Sequence, residues 1–288
     1  MASPPGTAET TELFTRILGG EWHLYSTHVL SGDPAETETA SQPAKLDLLA
    51  ELLRLRPGMR VLDVGCGWGG SLTYLAKRYG VTGLGISLVP QQCEYAQRRA
   101  DRHGVPLRFR PSHWQDLAAD EPFDAVMTSG VVVHFASLHD YFVRARDWLR
   151  PGGRLLDEEM HLLSPDVRHD AVARSSRAMA FLDEVRKKGR AAGGRLVVEE
   201  EGRYVTLDEE LTTLRAAGFE IERVAPLSMR DYQRTTERWL ANCERQRAEL
   251  TELAGDDAYR WYRTYFRLFR RLIDDRAMQL DVVVARLP

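Results

Sequence analysis

The chain has 288 residues, 43% of them hydrophobic, and a formal net charge of −3, the balance of an ordinary globular protein with room for a sizeable core. A net charge near zero gives no basic field, so we expect no nucleic acid partner. No apolar run approaches the length of a membrane span, and residues 1–6 lack the basic and apolar regions of a secretory signal. We therefore predict a cytoplasmic protein without an integral membrane segment.

The first part of the chain, residues 1–43, is predicted to be an N-terminal arm or lid. Within it, residues 11–18 have the apolar spacing of a helix that ends at two glycines, and Trp22 and Tyr25 follow. Two interpretations of this aromatic segment stay open, an arm that covers the sheet or a lid that contacts a ligand. Leucines with helical spacing over residues 44–55 then predict a helix beside the first strand.

The stretch VLDVGCGWGG, residues 61–70, organises the rest of the sequence. An apolar run stops at Asp63, three alternating glycines follow, and helical spacing resumes at Ser71, which predicts a strand, a tight turn and a helix. Such glycines let a ligand approach the main chain, and the helix start offers free N–H groups. The stretch predicts a site for a nucleotide-like ligand, with a turn that serves only packing as the alternative.

Further strand-like runs give this turn a more specific meaning. Residues 80–87 end in Ser87 and Leu88, not in the Asp or Glu that would hold a nicotinamide ribose. Residues 123–129 form a third run that ends at Ser129, followed by a helix-like stretch and another strand from residue 149. This βαβαβ rhythm is typical of S-adenosylmethionine (SAM) methyltransferases.

A short predicted strand over residues 107–110 leads into His113 and Trp114. An aromatic ring beside polar groups suits an adenine, whose ring packs while its polar edges form hydrogen bonds. Composition supports a core position for Trp114 equally well. The three cysteines, which are odd in number and have no C-x-x-C spacing, predict free thiols and no metal site: Cys66, Cys93 and Cys243.

Three acids, Asp157, Glu158 and Glu159, follow the fifth predicted strand. Ligands of open α/β sheets bind at the carboxyl ends of strands, which is where these acids are expected. The competing interpretation is the solvated start of a loop. Strand alternation puts Asp157 and Glu159 on one face and Glu158 on the other, so at most two of them can point into one pocket.

The C-terminal half predicts elements that cover the substrate. Periodicity loosens over residues 161–205, which hold a helix-like stretch at 171–186 and a basic, glycine-bearing loop, and which we interpret as a substrate lid. Two long helices, 231–253 and 256–276, form a second covering element over 229–277, the latter helix with an aromatic stripe more typical of a core.

A helix and a strand between residues 207 and 221 and a last strand over 279–285 complete the predicted sheet. The fold class is α/β, a Rossmann-like SAM methyltransferase sheet with helices on both faces and a helical lid. We expect the sheet to be mostly parallel with an antiparallel last strand. The methyltransferase domain is predicted to span residues 44–288.

These motifs resemble the cyclopropane-fatty-acid and mycolic-acid synthase family of SAM methyltransferases. The resemblance runs from about residue 25 to the C-terminus and is most specific over residues 55–92, which include the family's G-C-G-W-G with Trp68. It thins through the predicted lid. It implies a cyclopropane synthase-like C-methyltransferase with SAM as its cofactor.

The resemblance also implies which residues contact SAM. Tyr25 and Ser26 match the family's Tyr-Ser pair, and the glycine turn matches the segment beside the methionine part. Residues 87–92 match neighbours of the ribose and adenine, and Trp114 matches an adenine-stacking tryptophan. The predicted cofactor site consists of Tyr25, Ser26, Asp63, Gly65, Cys66, Gly67, Ser87, Leu88, Gln92, His113, Trp114 and Ser129.

The family's active site holds a bicarbonate base caged by Cys, Glu, His and Tyr, and this sequence departs from that cage. Thr27 stands at the Cys position and Val133 at the Glu position, while the His falls at or near Asp157. After methyl transfer to an alkene carbon, a proton must leave either the new methyl, which closes a cyclopropane, or a neighbouring carbon. We predict that a carboxylate replaces the bicarbonate as base. The predicted catalytic residues are Asp157, Glu158, Tyr232 and His134.

The leading hypothesis is transfer of a methyl, or of a methylene that closes a cyclopropane, from SAM to a carbon of a small-molecule or lipid-like acceptor in specialised metabolism. Two alternatives stay open, a natural-product N- or O-methyltransferase and a non-catalytic SAM-binding partner protein. The intact cofactor motif and the acid-rich strand favour an enzyme. We also consider a homodimer.

Overall fold

The computed structural model describes residues 8–33, 36–164, 204–274 and 278–288. Strands of these residues form one sheet: β1 (Arg60–Val64), β2 (Thr82–Ser87), β3 (Leu107–Pro111), β4 (Phe123–Ser129), β5 (Leu149–Leu162), β6 (Glu220–Leu227) and β7 (Met278–Arg286). The order across the sheet is β3-β2-β1-β4-β5-β7-β6. β7 runs antiparallel to β5 and β6, and the pairs from β3 to β5 are parallel. The predicted α/β class with an antiparallel last strand is confirmed.

Helices cover both faces of the sheet: α1 (Ala8–Leu18), α2 (Glu38–Leu53), α3 (Gly70–Tyr79), α4 (Pro90–His103), α5 (Leu138–Trp148), α6 (Leu207–Ala216), α7 (Met229–Arg245) and α8 (Arg247–Asp274). One apolar core lies between the sheet and α2, α3 and α4. A second lies between the opposite face and α5 and α6. A third joins α1, α7 and α8 with Trp68 of the glycine turn.

Two predicted helix boundaries are wrong. α2 begins at Glu38 instead of residue 44 and contains Pro43, so the predicted arm boundary falls inside a helix. The first long C-terminal helix ends at Arg245 instead of residue 253. The helical stretch after it, Arg247–Asp274, is broken at Gly255, whose φ of 85° is not helical, so a helix follows from residue 256 as predicted. Tyr259, Tyr262 and Phe266 of the aromatic stripe are buried, as expected of a core.

The interpretation of the three acids as the solvated start of a loop is wrong. Asp157, Glu158 and Glu159 lie inside β5 and are at most 3% exposed. β5 continues to Leu162 because β7 pairs with it along this whole stretch. Glu158 pairs in register with Ser129, the last residue of β4, so the acids still lie at the level where β4 ends.

The predicted substrate lid lies largely outside the described residues, since the helix-like stretch 171–186 and the basic loop after it fall between residues 164 and 204. The lid therefore stays a prediction.

Candidate cofactor and active site

A cavity of about 320 Å³ opens where β1, β2 and β4 end, a size within the range of small-molecule sites. All twelve residues of the predicted cofactor site line it. They come from the end of β1 and the glycine turn after it, the ends of β2 and β4, the first turn of α4, the segment after β3, and the arm before α2. The sheet topology thus brings together site residues that are spread over about a hundred positions of the sequence.

The glycine turn is fixed by β2 and open toward the cavity. The amides of Gly65 and Cys66 both donate to the Ile86 carbonyl, each at 2.9 Å. Gly67 has a φ of 51°, and a Cβ added there would meet nothing within 4 Å. At Gly70 the opposite holds, because a Cβ would lie 1.7 Å from the Trp22 carbonyl oxygen. The absence of a side chain therefore leaves room for a ligand at Gly67 and for the Trp22 carbonyl group of the arm at Gly70.

Asp63 gives the cavity a carboxyl group with unusual acid-base properties. It is 6% exposed and lines the cavity beside the turn. Burial raises its pKa to about 7, because the charged form is poorly solvated there. A cationic ligand group beside this carboxyl would favour the ionised form.

The opposite end of the cavity suits an adenosine. Ser87 Oγ donates to Gln92 Oε1 at 2.8 Å, and the Val89 amide donates to Ser87 Oγ at 3.2 Å, which fixes the polar group at the end of β2. Trp114 lines the cavity and also packs with Phe135, with the ring centroids 5.4 Å apart. Both interpretations of Trp114, ligand contact and core, are compatible with this position.

The predicted catalytic residues do not all reach the cavity. His134, in a short 3₁₀ turn after β4, lines it, whereas Asp157, Glu158 and Tyr232 do not. Glu158 is connected to it, since its Oε2 accepts a hydrogen bond of 2.8 Å from the hydroxyl of the cavity residue Ser129. Its other oxygen, Oε1, forms an ion pair with Lys45, and both side chains are buried.

The other two acids lie on the opposite face of β5, as strand alternation predicted. Asp157 accepts a hydrogen bond of 2.7 Å from Thr128, and Glu159 accepts one of 3.3 Å from the Val133 amide. Burial raises the pKa of Asp157 well above its usual range and that of Glu159 to about 7. Neither Thr128 nor Val133 lines the cavity, so this pair of acids is separated from it.

His161 belongs to the same face and is buried between two further carboxylates. Its Nδ1 lies 3.0 Å from Asp281 and its Nε2 lies 2.5 Å from Glu210. Although burial lowers the pKa of His161, hydrogen bonds with Asp281 and Glu210 outweigh it and raise the pKa to about 10. The imidazolium balances part of the negative charge on this face.

Tyr232 lies on α7 in the third core and is 6% exposed. Its ring meets Trp239 edge to face, with centroids 6.5 Å apart. Its neighbour Thr235 accepts a hydrogen bond of 3.1 Å from the His28 amide, which joins α7 to the arm.

Sequence reasoning missed Lys45 and part of the cavity wall. Phe14 and Phe135 line the cavity as well, and they gave no signal beyond being aromatic. Trp22, which also lines it, belongs to the segment for which ligand contact was one of the two interpretations. Lys45 did give one, because it precedes Leu49 by four residues and helical periodicity puts both on the same face. A lysine on the apolar face of a helix requires a buried partner.

The family model described as mycolic acid cyclopropane synthetase matches residues 10–283. The chain belongs to this family. The family predicted from the resemblance is confirmed.

Similar proteins agree with this membership. The cyclopropane-fatty-acyl-phospholipid synthase of Escherichia coli (strain K12) is 33% identical over 50% of this chain and 37% of its own length, so the chain corresponds to little more than a third of that synthase. The S-adenosylmethionine-dependent methyltransferase UmaA of Mycobacterium tuberculosis (strain ATCC 25618 / H37Rv) is 29% identical over 78% of this chain and 76% of UmaA. The crystal structure of mycolic acid cyclopropane synthase CmaA1, complexed with SAH and CTAB, shares the fold with a TM-score of 0.82 at 23% identity, covering 96% of this chain and 94% of that one.

Proposed function

We propose that this protein transfers the methyl group of SAM, or a methylene derived from it, to a carbon atom of a lipid-like or other apolar acceptor. The observation that carries the proposal is the cavity at the ends of β1, β2 and β4, in which the glycine turn, Asp63, Gln92 and Trp114 converge. Members of the same family are named as cyclopropane-fatty-acyl-phospholipid synthase and cyclopropane mycolic acid synthase.

SAM fits the residues present and supplies an electrophilic methyl group when bound. Asp63 would neutralise its positive charge, and the open main chain at Gly67 would contact its methionine part. Ser87, Gln92 and Trp114 would hold the ribose and adenine.

An apolar acceptor is supported by the wall of the cavity near the arm. Phe14 of α1 stacks on Trp68, with ring centroids 5.2 Å apart, and both line the cavity together with Tyr25. Aromatic side chains bury apolar ligand surface favourably. Their faces also stabilise positive charge that develops on an acceptor carbon.

We propose that Glu158 takes the proton lost by the acceptor and that Ser129 relays it. The acceptor carbon gives its proton to Ser129 Oγ, while the hydroxyl proton of Ser129 moves along the existing hydrogen bond to Glu158 Oε2. The electron pair of the broken C–H bond stays on the acceptor and closes the ring or forms the new double bond. This relay needs no bicarbonate.

The other predicted catalytic residues have supporting roles in this proposal. His134 would orient the acceptor from the cavity wall. Tyr232 would support the wall near the arm through its packing in the third core. Asp157 would act indirectly by positioning the end of β4, because it accepts a hydrogen bond from Thr128, the residue before Ser129.

The experiment uses the purified protein with SAM that carries a trideuterated methyl group and vesicles of a monounsaturated phospholipid. Mass spectrometry of the acyl chains separates the outcomes, because cyclopropane closure retains two deuteriums and simple methylation retains three. Transfer of label to nitrogen or oxygen of an amine or hydroxyl acceptor instead of to carbon would contradict the proposal. So would binding of SAM without production of S-adenosylhomocysteine across unsaturated lipid and free fatty acid acceptors.

The remaining predictions concern the location, the oligomeric state and the domain division of the protein. Among the helices of the described residues, none combines the length and apolar character needed to cross a bilayer. We further propose a cytoplasmic location, a homodimer, and a division into an arm of residues 1–43 and a methyltransferase domain of residues 44–288.

A further inference from the structure

Residues 22–28 of the arm form part of the cavity wall, and residues 22–26 among them line the cavity. The two ends of this segment are held by neutral hydrogen bonds. At one end the Trp22 amide donates to Gln42 Oε1 at 3.0 Å, and at the other the His28 amide donates to Thr235 Oγ1 at 3.1 Å. Neither bond reaches the centre of the arm, where Tyr25 and Ser26 line the cavity.

The centre of the arm is held by Lys45 of α2. Its Nζ donates to the Thr27 carbonyl oxygen at 3.3 Å and to Ser26 Oγ at 3.4 Å. The same ammonium forms the ion pair with Glu158 of β5. Lys45 is fully buried and does not line the cavity. A buried ammonium is stable only with a counterion and satisfied donors, and here one group supplies the counterion while the arm supplies the acceptors.

We propose that Lys45 is a positioning residue that fixes the arm over the cofactor, with Glu158 as the counterion that allows a lysine there. This proposal rests on the proposed function, since it assigns the arm to the SAM site. It joins two serines of the cavity wall to one buried ion pair, because Lys45 donates to Ser26 and Glu158 accepts from Ser129. Loss of Lys45 would therefore release the arm even where the charge of Glu158 is removed as well.

A purely structural ion pair makes a different prediction. If Lys45 only balances the charge of Glu158, removing both charges restores both the stability and the SAM affinity that removing one charge has lowered. If Lys45 positions the arm, removing both charges restores stability but not cofactor affinity.

The experiment compares Lys45→Met, Glu158→Gln and the double variant Lys45→Met/Glu158→Gln. Thermal unfolding gives their stability, calorimetry with SAM gives affinity, and hydrogen exchange reports the amides of residues 24–28. Arg98→Met/Glu94→Gln is the control, because these side chains form an exposed pair on α4.

We expect Lys45→Met to lower the melting temperature, since it leaves a buried carboxylate unpaired. The double variant regains much of this loss, and the amide oxygen that replaces the carboxylate still accepts from Ser129. Its SAM affinity stays ~10-fold or more below that of the unmodified protein, as for the loss of hydrogen bonds donated by a charged group. Its arm amides exchange faster. Glu158→Gln alone lowers the melting temperature, because it leaves Lys45 without its counterion, but Nζ still donates to Ser26 and Thr27, so SAM affinity and protection of the arm stay near those of the unmodified protein. The control pair changes none of the three measurements.

Recovery of SAM affinity along with stability in the double variant would overturn the proposal, and so would unchanged exchange of the arm. If the Met variants do not fold, Lys45→Gln/Glu158→Gln gives the same test, because the amide is polar but one bond shorter than the lysine. Failure of the unmodified protein to bind SAM would instead refute the proposed function, so the two failures are distinguishable.

Discussion

The two sides of the cavity, the cofactor side and the side that would receive the proton, are built in different ways. On the cofactor side a contiguous turn presents main chain, and Gly67 leaves room for a ligand. On the proton side the groups that matter are buried side chains from separate elements, such as Lys45 and Glu158, which are 113 residues apart in the chain. The glycine turn of the cofactor side depends on local backbone geometry, whereas the proton side depends on tertiary contacts.

The largest expected effect breaks the cofactor side alone. Gly67→Val puts branched carbon into the space that the ligand would occupy, at a φ of 51°, so we expect complete loss of SAM binding in calorimetry. Gly104→Val is the matched control, because Gly104 has a φ of 63°, also faces open space, ends α4 and does not line the cavity. Both variants should lose stability through backbone strain of ~1–3 kcal/mol, but the control keeps SAM binding. Unchanged affinity in a folded Gly67→Val protein would refute the assignment of the turn.

The second prediction breaks the proton side and leaves the cofactor side intact. Glu158→Gln preserves shape and removes the base, so turnover should fall ~10²–10⁴-fold with SAM affinity unchanged. Glu159→Gln is the control, because Glu159 is the next buried carboxylate on the same strand but faces away from Ser129. We expect its turnover to stay within a few-fold of the unmodified protein.

Both assays are run in buffer stripped of carbonate and again with bicarbonate restored. Full turnover of Glu158→Gln, or a strict requirement for added bicarbonate, would show that the relay through Ser129 is not the route of the proton.

The difference between the two sides also explains what could be predicted from the sequence. β1, the glycine turn and α3 follow from local signals, namely an apolar run, alternating glycines and resumed helical spacing. The start of α2 could not be predicted in the same way, because Ser41 and Gln42 are polar yet fully buried against the arm. Gln42 is held by hydrogen bonds with Trp22 and Gly19, about twenty positions away, and Ser41 by one with His28.

The acids of β5 show the same limit within the site. Their alternation between two faces is a property of any strand, and it is confirmed by the separate partners of Glu158 and Glu159. That they are buried inside a long strand depends on the pairing of β5 with β7, which no local pattern contains. The ion pair with Lys45 required a helix and a strand to meet across the core.

The third prediction sharpens the cofactor side by separating ligand contact from core packing. Trp114→Ala should cost SAM binding ~1–3 kcal/mol if the indole lies on the adenine, with a modest fall in melting temperature. Trp148→Ala is the control, since Trp148 is buried in the same core, donates to the Leu117 carbonyl and does not line the cavity. It should lower the melting temperature strongly and leave SAM affinity unchanged. A Trp114→Ala protein with the same profile as Trp148→Ala would make Trp114 a core residue only.

The smallest expected effect is a pH dependence of cofactor binding that belongs to Asp63. Burial raises the pKa of this carboxyl to about 7, so below that pH the ligand-free protein holds a proton there. A cationic group of SAM beside Asp63 favours the carboxylate, and binding must then release the proton. SAM affinity should therefore rise by up to about tenfold per pH unit as the pH increases toward 7 and level off above it. Calorimetry between about pH 5.5 and pH 7.5, in buffers of different ionisation enthalpy, measures both affinity and proton release.

Asp63→Asn supplies the reference for this measurement, because the amide resembles the protonated acid and cannot ionise. Its SAM affinity should be flat over the same range, and the unmodified protein should approach that value at the acidic end, where its own carboxyl is protonated. A slope that persists in Asp63→Asn would show that the proton release does not belong to Asp63. A flat profile in the unmodified protein would mean that Asp63 holds the turn without contacting the charge of the cofactor, and the cofactor side would then depend on its main chain alone.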